Sequence, residues 1–119
     1  MKMKLQNNFT TPEQSNRLLE LGLPANSADC IMKNNEHVYK YNFDVELTVI
    51  QLIERLNTHD CMNVYKPCWS VGRLVEIYHI CVSRGFSFNV CFPDLMNEVM
   101  YKLAEANNNG WLNLSKLEE

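Results

Sequence analysis

No run of apolar residues in this 119-residue chain approaches the ~18 that cross a bilayer, and the opening "MKMKLQNN" is too short and too polar for the apolar region of a signal peptide. A soluble protein of the cytoplasm, with no membrane partner, is expected. Glycine is scarce: the four residues, at 22, 72, 85 and 110, cannot be arranged into a P-loop or a dinucleotide-binding pattern, which excludes the common phosphate cradles. Basic residues are also few, 11 against 14 acids for a net charge of −3, and the only basic cluster is Lys2 and Lys4. Holding nucleic acid by phosphate neutralisation needs a clustered basic surface, so no nucleic-acid partner is expected. Five cysteines, at 30, 61, 68, 81 and 91, are an odd number at irregular spacings, which fits reduced thiols better than a disulfide framework.

What is present reads as one domain, 1–119. A chain this long buries roughly two thirds of its unfolded surface, and 46% hydrophobic with 21% charged residues is the balance of a globular fold. Residues 1–8 are expected to be flexible. At Thr11, a hydroxyl N-cap meets Pro12 at N1 and Gln14 at N3, a capping box that opens a helix to Leu21, with Gly22 as its C′ residue and Pro24 beyond. "CIMKNNEHVYKYNF", 30–43, switches to alternating runs around "NNE" and predicts a hairpin turning near Asn34 and Asn35. Val49, Leu52, Ile53 and Leu56 form a helical stripe behind a second capping box, Thr48 with Gln51. "NTHDCMNVYKPC" then reads as a long surface connection.

In "PCWSVGRLVEIYHIC", Ser70 is a good N-cap, and Trp69 at N′ with Leu74 near N4 is the pairing of a hydrophobic staple. The helix is expected to run to Arg84 and Gly85. "FSFNVCF", 86–92, alternates as a half-buried strand, and Pro93 with Asp94 opens a last helix to about Ala106. The tail 111–119 is either docked as a short strand or turn, or a separate contact segment. The reading is an α+β fold: about four helices, near 12–21, 48–57, 70–84 and 93–106, packed on a small, mostly antiparallel sheet.

The stretches "FTTPEQSNRLLELGLPANSAD", 9–29, and "PCWSVGRLVEI", 67–77, keep proline, cap and leucine positions together. In these, under a third of the chain, it resembles a family of small, uncharacterised proteins encoded by bacterial prophages and mobile elements. The resemblance implies such an origin and carries no activity, substrate or cofactor. It also implies that alanine often stands at the position of Cys68, which speaks against an essential thiol there.

Three constellations could carry chemistry. His59, Cys61, Cys68, His79 and Cys81 are all zinc-ligand types, but the closest pairs are H-x-C rather than a C-x₂₋₄-C knuckle, and 79 and 81 point to different sides of a helix. Core cysteines and surface histidines are the preferred reading. Cys68, near a helix N-terminus that would lower its pKa, could be a nucleophile, with Glu76 and His79 as carboxylate and base at i and i+3, although such a pair is usually a solvated surface contact. "HVYKYNF" sets Tyr39, Lys40 and Tyr41 in the style of a single-strand binder, against the more ordinary reading of a hairpin packed on helices. What remains is an interaction role. Tyr65, Lys66, Pro67 and Trp69 around the long connection, and Trp111 in the tail, are the candidate anchors, since tyrosine and tryptophan are common in interfaces. The plainer reading of Trp69 is the staple, and of Trp111 closure of the core. No cofactor or metal is expected, and no catalytic residue is assigned. The expectation is a non-enzymatic accessory protein that binds an unknown protein partner, with a zinc-stabilised domain and a Cys68 thiol enzyme as the alternatives.

Overall fold

The computed structural model describes residues 8–40, 47–60, 62–82 and 95–118. Among the described residues, four α-helices and a three-stranded antiparallel sheet make up an α+β fold: α1 (Pro12–Leu21), β1 (Cys30–Lys33), β2 (His37–Lys40), α2 (Val49–His59), β3 (Tyr65–Cys68), α3 (Val71–Cys81) and α4 (Leu95–Asn108). Both capping boxes form. The Thr11 hydroxyl accepts from the Gln14 N–H at 3.1 Å while the Gln14 side chain accepts from the Thr11 N–H at 2.9 Å, and Thr48 with Gln51 repeats this. Each box satisfies two helix-end donors that would otherwise lack partners. Gly22 ends α1 at φ +107°, a left-handed conformation that a Cβ would strain.

The strand order is β2-β1-β3, with β1 central. Lys33 and His37 flank a turn in which Asn34 and Asn35 take φ of +55° and +61°, a conformation asparagine tolerates better than most residues. β3 lies within the stretch expected to be a surface connection. It pairs Cys30 with Cys68 and Lys33 with Tyr65, and Tyr65 and Cys68 are both buried. Only four residues long and interrupted by Pro67, it has too little alternation to stand out from a loop.

α3 also departs from the sequence expectation. It ends at Cys81, because Val82 turns extended (φ −107°, ψ 122°) and bridges Leu112, while the Cys81 carbonyl accepts from the Asn113 N–H at 2.8 Å. The tail is thus held against α3, and Trp111, Leu112, Leu114 and Leu117 pack partly buried on the main core. That core gathers Leu18, Val49, Ile53, Trp69, Leu74, Ile77, Val99 and Leu103 from all four helices and the β3–α3 junction. A second, smaller cluster of Cys30, Met32 and Cys68 occupies the other face of the sheet, under Phe9 and Val38. The expected strand 86–92, the turn at Arg84 and Gly85, the helix start at Pro93 and Asp94, and Tyr41 and Phe43 lie outside the described residues.

Candidate interaction surface

Tyr65, Lys66, Pro67 and Trp69 are brought together by β3 and the residue after it, but they do not share a surface. Trp69 is fully buried. Its indole N–H donates to the Ser27 hydroxyl at 3.0 Å, and its backbone exchanges hydrogen bonds with Thr10, at 2.9 Å through the Trp69 carbonyl and 3.1 Å through its N–H. Leu74, four residues on from the Ser70 cap, is buried in the same core, the arrangement a hydrophobic staple requires. Trp69 therefore holds the fold and presents no side chain to a partner. Trp111 is half-buried in the docked tail and packs on the main core. Lys66 and Pro67 are half-buried, and alternation sends their side chains to opposite faces of the sheet.

Tyr65 belongs to a polar network that ties three elements together. Its hydroxyl donates to Asp60 at 2.8 Å, Asn63 donates to both Asp60 oxygens at 2.8 and 2.9 Å, and Asn34 in the β1–β2 turn donates to Asn63 at 2.6 Å. The bonds from Asn63 and Tyr65 hold the Asp60 carboxyl below its ordinary value, and the bond to Asp60 raises the Tyr65 phenol.

Beside this network, between the sheet and α2, runs a groove of about 360 Å³. Ile31, Leu52 and Leu56 give it an apolar lining, Tyr39 and Tyr65 contribute rings from the two outer strands, and Lys33 and Lys40 complete it. Tyr39 stands opposite Ile31 in the register and is 53% exposed; Met62 and Val64, leading into β3, are exposed too. Of the five candidate anchors only Tyr65 lines this groove, and Tyr39 and Lys40, singled out in "HVYKYNF", line it as well. Lys33, Tyr39, Leu52 and Leu56 are drawn from the two hairpin strands and α2, and the signals legible for them were the alternation in "HVYK" and the helical stripe that includes Leu52 and Leu56.

The cysteine and histidine constellation separates. Cys68 lies in the small cluster on one sheet face and Cys81 in the main core, His59 and His79 are exposed, and Cys61 is outside the described residues. Among the described residues, no three of His, Cys, Asp and Glu lie close enough together to hold a metal ion. Cys68 does not have the lowered pKa expected beside a helix N-terminus. It lies three residues before the first turn of α3, and its desolvation, which raises the thiol pKa, outweighs the lowering by the hydrogen bond from the Thr10 hydroxyl. Glu76 pairs with Arg73 at 2.8 Å. Arg73 in turn donates through Nε to the Ser27 carbonyl at 2.7 Å, and Asp29 accepts from both the N–H and the hydroxyl of Ser70, so this polar group fastens α3 to the segment before β1.

Among the described residues, no helix is long and apolar enough to cross a membrane. Compared with known proteins, the chain matches no family model, no curated protein and no solved structure.

Proposed function

We propose that this chain is a protein-interaction module, an accessory protein of phage or mobile-element origin that works in the cytoplasm without catalysis. The observation that supports this reading is the groove between the sheet and α2. It offers apolar walls from Ile31, Leu52 and Leu56 with two tyrosine rings, a composition suited to a short apolar segment of another protein, and the residues Lys33 and Lys40 favour an acidic side chain in that segment. Tyr39, more than half exposed, is the anchor nearest solvent.

The test is selection from a random peptide library on the immobilised chain. Retained peptides are expected to combine aromatic or aliphatic residues with Asp or Glu, and to be lost from Tyr39→Ala and Lys33→Glu variants that melt like the parent. Peptides without that pattern, or retained equally by both variants, would sink the reading.

A further inference from the structure

The smaller cluster contains a feature that the groove does not use. Cys30 on β1 and Cys68 on β3 are directly paired in the antiparallel register, and both are fully inaccessible to solvent. Residues opposite each other in such a ladder share one face of the sheet, with Cα atoms ~4.5–5.5 Å apart, inside the ~4.4–6.8 Å that a disulfide spans. Met32 flanks the pair, Phe9 and Val38 pack against it, and both the hydroxyl and the carbonyl of Thr10 lie 3.6 Å from the Cys68 sulfur.

We infer that Cys30 and Cys68 form a closable dithiol pair, a site of reversible disulfide modification that staples β1 to β3. In closing, both S–H bonds break and one S–S bond forms. The two electrons and two protons released reduce an oxidant such as a hydroperoxide, whose O–O bond is cleaved to an alcohol and water, or an azo compound, whose N=N bond becomes a hydrazine.

The surroundings set how the pair behaves. Burial, then Asp29 and Cys68 itself, push the Cys30 thiol up to about 12, and burial raises Cys68 as well, so the reactive thiolate is scarce at neutral pH. Oxidation therefore waits on a local opening of the Phe9–Thr10 stretch that covers the sulfurs. Cβ atoms of directly opposed residues are ~4.5–5.5 Å apart, wider than the ~3.5–4.5 Å of a relaxed disulfide, so closure draws the strands together and leaves a bond that is easily reduced. The pair suits a responsive staple rather than a permanent one.

The test uses the full chain, reduced, freed of reductant and treated with the azo oxidant diamide under native conditions, then alkylated and mapped by mass spectrometry. The expected product is a peptide pair joined through Cys30 and Cys68, ~2 Da lighter than the two thiol peptides and separated by dithiothreitol. The inference is overturned if both residues remain alkylatable on unfolding after excess diamide, or if either is found joined to a different cysteine.

Discussion

The Asn57 side chain binds both backbone groups of Tyr65: its amide nitrogen donates to the Tyr65 carbonyl at 3.2 Å, and its oxygen accepts from the Tyr65 N–H at 2.9 Å. The backbone of Val64 meets Asn34, so strand alternation turns that of Tyr65 away from β1, to the outer edge of the sheet. An amide on α2 thus takes the place of a further strand. Pro67, two residues on, has no N–H to offer at that edge, which leaves β3 poorly suited to pairing with another chain. Replacing Asn57 with Ala leaves a part-buried donor and acceptor unpaired and should cost about 1–2 kcal/mol in urea unfolding. Self-association should increase at the same time, visible by analytical ultracentrifugation.

The acid limb of stability should depend on Asp60. Its carboxyl pKa is lowered in the fold, so the stabilisation is present above the unfolded value and is lost as pH falls through the lower, folded one. Melting temperature followed from pH 5 downward should fall less steeply in Asp60→Asn than in the parent below about pH 4. The Tyr65 phenol is shifted up, and its contribution is present below the unfolded value and lost as pH rises beyond the folded one, so Tyr65→Phe should alter the alkaline limb instead.

Trp69→Ala should be the most damaging single change in the β3–α3 junction. Emptying a fully buried indole site costs about 3–5 kcal/mol, and the Thr10 and Ser27 contacts are weakened with it. Trp69→Phe keeps most of the volume but loses the bond to Ser27, for about 1–2 kcal/mol. Denaturant melts of the two variants measure this difference.

Gly22→Ala should report on docking of the tail. The left-handed φ penalises any Cβ, and an added one would stand 3.2 Å from Leu114 Cδ1. A loss of about 1–2 kcal/mol is expected. Faster amide exchange at Leu112 and Asn113 would locate the damage in the tail.

Tyr39→Ala, by contrast, should change unfolding free energy by no more than about 0.5 kcal/mol, since more than half of the side chain is already in water. Peptide binding to the groove is where its loss should register, by isothermal titration calorimetry.

The elements that could be read from the chain were those with local signatures. Thr11 with Gln14, Thr48 with Gln51 and Ser70 each mark a helix start within four residues, and the paired asparagines at 34 and 35 mark the hairpin. β3 was not legible because what makes Tyr65–Cys68 a strand is its partner β1, far back in the sequence, together with the side chain of Asn57. The same limit explains the site. Trp69 and Trp111 drew notice as aromatic residues in loops, yet tertiary contacts bury the first completely and half-cover the second. The groove, meanwhile, is assembled from residues that are ordinary strand and helix positions taken one at a time.

The bonds between Thr10 and Trp69 also set a schedule. Their partners are 59 positions apart, and Phe9 bridges Ser70 over a similar distance. At the ribosome's ~5–20 residues per second, Thr10 waits roughly 3–12 s after its own synthesis for Trp69 to be made, and longer for it to leave the exit tunnel. Until then α1 has its cap but not the β3–α3 junction to rest on, and Cys30 has β2 beside it but not its β3 partner Cys68. The order of translation makes the Phe9–Thr10 stretch late to settle.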